Sequence, residues 1–180
     1  MRHFFCRQAP EFRKILIVES GSRRLTEGVI AHFYQTKGEH IQIDLVTCFA
    51  GVPQGFEGGV FRIADYSGRA GRKRLYRELA ERQYSTAGII CSGESIMTKW
   101  KWALVARVPT KFFVLNENGD YFWVDWGHWR VMIHFVLFRA GLTGAAAIPT
   151  LGRLLFFPAT LAWLLFYAGF VHLRRKVRML

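Results

Sequence analysis

The run Lys14–Phe33, KILIVESGSRRLTEGVIAHF, decides how this chain is read. Its first six residues, Lys14–Glu19, are almost continuously apolar, the composition of a short strand covered on both faces. Ser20–Arg24 breaks the run, and Leu25, Val29, Ile30 and Phe33 then recur at helical spacing. A buried strand, a polar turn and an amphipathic helix in succession form the opening of a βα unit.

The same pattern recurs downstream. Ile41–Thr47, IQIDLVT, reads as a second strand and Val60–Asp65, VFRIAD, as a third, joined by the Gly/Pro-rich CFAGVPQGFEGG with no evident helix. Arg72–Gln83 reads as a helix with Leu75 and Leu79 inward, Thr86–Cys91 as a fourth strand, Ser95–Arg107 as a helix and Lys111–Asn116 as a fifth strand. Alternating strands and helices predict right-handed crossovers. The expected class is α/β: a Rossmann-like three-layer domain over residues 1–125 with a mainly parallel five-stranded sheet, then C-terminal hydrophobic membrane-associated helices over 126–180.

In such sheets ligands bind beyond the carboxyl ends of the strands. Those ends carry small or polar residues here, and three of them supply candidates. After strand one, Ser20, Gly21, Ser22 and Arg23 offer a helix start suited to a phosphate, since unpaired amides and the helix dipole both favour an anion; a capped turn with solvated arginines is the plainer alternative. After strand four, Ser92 and Gly93 form a turn, Ser95 is a candidate N-cap bonding to the amide of Met97 or Thr98, and Glu94 is a candidate general base or contact to a sugar hydroxyl. After strand five, Asn116, Glu117 and Asn118 are dense in hydrogen-bonding groups, although Asn-Gly is also a common turn former. Trp100, Lys101 and Trp102 cannot all face inward, so at least one tryptophan is expected to be partly exposed. No metal-ligand spacing, Ser-His-Asp arrangement or D-x-D pair is present, and no cofactor is expected.

Charge divides the chain. All 13 acidic residues lie at or before Asp125, whereas seven of the 25 Lys/Arg fall in the last 55 residues. Leu154–Val171 is 18 residues without a charge, near the lower limit for spanning a bilayer, with Arg153 before it and Arg174, Arg175, Lys176 and Arg178 after it. Membrane lipid is therefore the expected partner, and nucleic acid is not, because the tail's aromatics sit among leucines rather than among basic residues. Tyr121, Phe122, Trp123, Trp126 and Trp129 read as an interfacial aromatic belt or a stack capping the core. The segment Trp129–Ala140 suits an in-plane helix and Pro158 a re-entrant kink, so a monotopic or hairpin anchor is favoured over a single span. Met1–Pro10 lacks the apolar core of a signal peptide, and Cys6, Cys48 and Cys91, odd in number and far apart, read as reduced thiols; the soluble part is expected on the cytoplasmic side.

The order of motifs KILIVESGSRRLTEGVIAHF, IDLVT, RELAERQYSTAGIICSGE and VPTKFFVLNENGDYFW resembles the N-terminal, acceptor-side domain of GT-B glycosyltransferases, both heptosyltransferase-like enzymes and the membrane-anchoring subunit of split two-chain N-acetylglucosaminyltransferases. The resemblance covers about Lys14 to Trp123. It implies a cleft lined by the loop Ser20–Arg24, a nucleotide-sugar donor as substrate and action on a lipid-linked or cell-envelope glycan in polysaccharide biosynthesis. No C-terminal donor domain follows residue 125, so a second glycosyltransferase subunit is implied, or else a non-catalytic docking module.

Overall fold

A computed structural model of the chain describes residues 5, 10–38, 41–144 and 147–178. Cys6 and most of the Met1–Pro10 stretch lie outside these residues. The described chain falls into two compact units that divide between Trp129 and Arg130.

The first unit is built on six strands: β1 (Lys14–Glu19), β2 (Gln42–Thr47), β3 (Val60–Arg62), β4 (Thr86–Cys91), β5 (Lys111–Asn116) and β6 (Tyr121–Trp123). They lie in the order β3-β2-β1-β4-β5-β6. All pairings are parallel except β5 with β6. Strand order reverses between β1 and β4, the central pair, and Ile15–Val18 are fully buried there, as the continuous apolar run requires.

Three helices serve this sheet: α1 (Arg23–Lys37), α2 (Gly68–Glu81) and α3 (Thr98–Arg107). Because the chain steps one way from β1 to β2 and the other way from β3 to β4 and β5, right-handed crossovers set α1 on one face and α2 with α3 on the other. Side chains agree. Ile30 of α1 packs with Ile15, Ile17, Ile43, Leu45 and Phe113 in one core cluster. Asp44 points the opposite way, to Arg82 and Tyr84 just beyond α2. The rings of Tyr76 in α2 and Trp100 in α3 meet at 6.4 Å.

Four elements depart from the sequence expectations. β3 stops at Arg62, since Ile63–Tyr66 winds into a 3-10 turn whose Tyr66 hydroxyl donates to Glu78 at 2.6 Å. The second helix begins at Gly68, not Arg72. The third begins at Thr98: Met97, left-handed at φ 52°, is its N-cap, and Ser95 caps nothing. The sheet has six strands rather than five because part of the aromatic run forms β6, folding back on β5 through an Asn116–Asp120 turn.

The second unit contains α4 (Trp129–Arg139), whose first residue is the last of the first unit, and α5 (Ala147–Arg178). Gly141, at φ 68°, ends α4: its own amide reaches Phe138 O and the amide of Leu142 reaches Leu137 O, a Schellman closure that a left-handed glycine permits. α5 is one 32-residue helix running through Pro158, so no re-entrant turn forms there. At 1.5 Å per residue it is about 48 Å long, more than the ~30 Å of bilayer hydrocarbon. Its most apolar stretch has no buried share, and Leu155 and Phe166 are 78% and 76% exposed. It is long and apolar enough to cross a membrane.

Gly88 has no space for a side chain: a Cβ would lie 2.6 Å from Phe113 Cζ and 3.1 Å from Ile17 Cδ1. Gly88→Ala is therefore expected to cost about 1–3 kcal/mol by overpacking, read as a melting temperature lowered by roughly 3–10 °C in the detergent-solubilised full chain.

Candidate functional site

Parallel strands bring the starts of α1, α2 and α3 to one sheet edge, together with the β5–β6 turn. At the centre of this carboxyl edge Glu19 is fully buried. Arg23, one helical turn on, holds it with Nε–Oε1 3.0 Å and Nη2–Oε2 3.1 Å, and Thr47 Oγ1 donates to Oε2 at 2.5 Å. The same guanidinium donates to the Ala50 carbonyl at 3.0 Å and lies over the Phe49 ring. Arg23 is thus committed to pinning the β2–β3 connection.

The other residues singled out in the sequence divide into internal ties and open positions. Ser20 donates to the Ile90 carbonyl at 2.6 Å, joining the ends of β1 and β4. Gly21 fits because a Cβ would stand 2.6 Å from Ile90 Cγ2 and 2.7 Å from Ser92 Oγ. Asn116 Oδ1 accepts from the amides of Asn118 and Asp120, at 3.0 and 2.9 Å, and Nδ2 donates to Asp120 Oδ2 at 3.2 Å, so Asn116 builds the β5–β6 turn. Asn118, Gly93 and Glu94 are exposed, Glu94 with one oxygen 3.5 Å from Ser92 Oγ. Trp102 is 42% exposed, as the Trp100–Trp102 spacing requires.

Ser22, Ser92 and Glu117, each just past a strand end, line a groove of about 810 Å³ together with Arg24 and, farther along α1, His32 and Thr36. Its walls are the Leu25, Val29 and Phe33 side of α1 and the β5–β6 hairpin, with Phe113 and Leu115 as floor and Tyr121 beyond. Gly28 of α1 opens onto it, with nothing within 4 Å of where its Cβ would be. α1 is the only helix contributing to this core among the described residues, so the β5 side of the face is roofed by rings instead. Phe12, Phe33, Tyr121 and Trp123 all lie 5.6–6.4 Å from Phe113. Sequence reasoning found Ser22, Ser92 and Glu117 through the strand termini. The apolar trough escaped it, because a helix missing from one sheet face is a tertiary fact.

A buried charge cluster at the other end of β5 also went unforeseen. Lys111 and Asp125, 3% and 2% exposed at their side chains, pair at 3.0 Å, and His128 Nδ1 lies 2.7 Å from the other oxygen of Asp125. The Lys111 ammonium also sits 5.1 Å from the centre of the Trp123 ring. Burial alone raises the pKa of Asp125; hydrogen bonds from His128 and Lys111, with the charge of Lys111, outweigh it and hold the carboxyl below its usual range. Among the described residues no group of three His, Cys, Asp or Glu side chains is placed to hold a metal ion. Neither Cys48, which is exposed, nor Cys91, which is buried, is in a disulfide.

No protein-family profile, curated protein or solved structure matches this chain.

A carboxyl with a folded pKa below its unfolded value of about 3.9 contributes stability above that value and loses it as pH falls through the folded one. Asp125→Asn also strands a buried ammonium, at about 3–5 kcal/mol. Melting of the variant against the unsubstituted chain is therefore expected to differ most at pH 7, with the gap closing progressively below about pH 4.

Proposed function

We propose that this chain is the Rossmann-like, three-layer acceptor half of a GT-B-type glycosyltransferase, held at a membrane with its soluble unit on the cytoplasmic side and acting on a lipid-linked or cell-envelope glycan. The observation that carries the reading is the groove. Ser22, Ser92 and Glu117, from three successive strand ends, line a mainly apolar groove in a chain whose last helix is long and apolar enough to cross a bilayer. A mainly apolar groove with scattered polar lining, His32 and Thr36 along α1 besides Ser22, Arg24, Ser92 and Glu117, suits an amphiphile better than a free sugar. Glu94, exposed in the neighbouring loop, is the carboxylate available to take a proton from an acceptor hydroxyl. In this reading the nucleotide-sugar donor is held by a separate donor-binding domain or subunit that faces the carboxyl edge of the first unit.

A second reading is a docking module that brings a catalytic partner to the membrane without doing chemistry itself. It is favoured by the internal commitments of the edge: Arg23 is spent on Glu19 and Ala50, and Ser20 on Ile90.

Purification of the tagged full chain in mild detergent is expected to bring down a protein carrying a nucleotide-sugar-binding domain, and the pair to transfer sugar where neither alone does. In that pair Glu94→Ala is expected to lower kcat by roughly a hundredfold or more with KM little changed. Unchanged turnover with the partner still bound would replace the catalytic reading with the docking one; transfer by the chain alone would remove the need for a second subunit.

A further inference from the structure

The aromatic run that ends the first unit divides in the structure. Tyr121 and Trp123 join the rings around Phe113, whereas Trp126 and Trp129 are 55% and 43% exposed. These two indoles stack on each other, centroids 6.5 Å apart and planes 23° from parallel, and the exposed ring of Phe5 lies 6.5 Å from Trp126. Large apolar rings grouped on a surface mark a contact with something else.

A buried charge cluster fixes where they stand. Asp125 caps the 3-10 turn Trp126–His128: its Oδ1 accepts from the His128 amide at 3.1 Å and lies 2.7 Å from Nδ1, while Oδ2 pairs with Lys111 at 3.0 Å. Such a cluster adds little net stability but permits few arrangements. Lys111 is the first residue of β5, and Val124 N still bonds to Phe112 O at 2.8 Å, so the turn sits at the amino edge of the sheet with Lys14, Gln42 and Thr86. Ser22, Ser92, Glu94 and Glu117 follow the opposite, carboxyl ends of their strands. A six-residue strand at about 3.3 Å per residue puts roughly 20 Å between the two edges.

What covers the indoles follows from the chain that leaves them. Trp129 is the first residue of α4, in which no residue is buried although Val131, Ile133, Val136 and Phe138 are apolar, and α5 is long and apolar enough to cross a membrane. No acidic residue follows Asp125, against seven Lys/Arg. Tryptophan concentrates where protein meets the bilayer interface, its ring apolar and its N–H polar, and basic side chains favour anionic headgroups. A sugar ligand or a protein partner would account for the indoles but not for the exposed apolar, acid-free segment that they introduce.

We infer that Trp126 and Trp129 are an interfacial anchor that seats the first unit on an anionic bilayer by the amino edge of its sheet, with the carboxyl edge turned to the water. Since α1 starts at the carboxyl edge and returns toward the amino edge, the groove along it, from Ser22 and Ser92 to Thr36 and Phe12, then runs from the water down toward the lipid. The inference rests on the membrane attachment in the proposed function and not on sugar transfer.

The full chain carrying Trp163→Phe, which removes the indole of α5, is reconstituted into phosphatidylcholine–phosphatidylglycerol vesicles with acyl chains brominated just below the headgroups. It should float with the vesicles, and its tryptophan emission should be quenched relative to unbrominated ones. Adding Trp126→Phe and Trp129→Phe should remove most of that quenching without lowering the melting temperature. Adding Trp102→Phe instead, an indole of similar exposure on α3, should leave quenching unchanged. In the unsubstituted chain in vesicles, hydroxyl radicals should oxidise Trp102 severalfold faster than Trp126 or Trp129. A chain that floats but whose quenching is indifferent to loss of the pair would overturn the seating and leave membrane attachment standing, whereas failure to float would remove both. Protection of the pair from oxidation without quenching by lipid would overturn the inference in favour of a protein partner, a second copy of the chain included.

Discussion

The Phe113 ring lying across Gly88 is the constraint on which the unusual half of this domain depends. A Cβ at residue 88 would collide with that ring. With no side chain on β4 at this position, the ring edge takes the space a Cβ would fill, and Phe12, Phe33, Tyr121 and Trp123 stand edge-on to it. Such geometry suits the aromatic quadrupole and buries large area with little entropy loss. It keeps Phe113 buried on a sheet face that has a single helix. Tyr121 and Trp123 reach this cluster only because β6 returns antiparallel to β5, so the hairpin, the floor of the groove and the aromatic seal stand or fall together.

Three ionic networks then fix the segments that apolar packing leaves loose. Glu19 with Arg23 and Thr47 holds the chain leaving β2 through Ala50. Asp44 binds the amide of Gly59 as well as Arg82 and Tyr84, and so ties the end of that connection to the turn after α2. Burial, reinforced by Asp44, pushes the Tyr84 hydroxyl far above its usual range and keeps it a donor. Lys111 with Asp125 and His128 locks the segment that leaves the sheet. Charges this deep are costly to desolvate, so their contribution lies less in net stability than in forbidding other arrangements.

Much of this was legible in the chain. The bounds of β1, β4 and β5 follow from apolar runs ended by Ser-Gly or Asn, and β2 from the same signal offset by one residue. The inward stripes Leu75–Leu79 and Leu25–Phe33 follow from helical period. What failed had physical causes. Ile63–Tyr66 looks like strand but is drawn into a turn by Tyr66, Glu78 and Arg74. Ser95 looks like a cap, yet the chain reaches helical geometry only after Met97 adopts a left-handed conformation. Tyr121–Trp123 carries no local signal for a sixth strand, because aromatics serve lipid, core and sheet alike; the pairing with β5 is what shows it. Ser22, Ser92 and Glu117 were findable as strand-end residues, whereas nothing in the local pattern of Lys111 distinguishes a buried cation from a solvated one.

The distribution of unfavourable choices along the molecule is itself informative. Near the amino ends of β2 and β5 the charged groups are paired: Asp44 with Arg82, and Lys111 with Asp125. At the carboxyl edge Glu19 and Arg23 satisfy each other, but the same edge gathers three helix starts without side-chain caps, basic rather than acidic first turns and a left-handed Met97. Natural chains are locally consistent where only folding is at stake, and depart from consistency where a ligand completes the electrostatics. The departures here, basic first turns without side-chain caps and a left-handed Met97, all fall on that one edge, while the opposite edge is locally consistent.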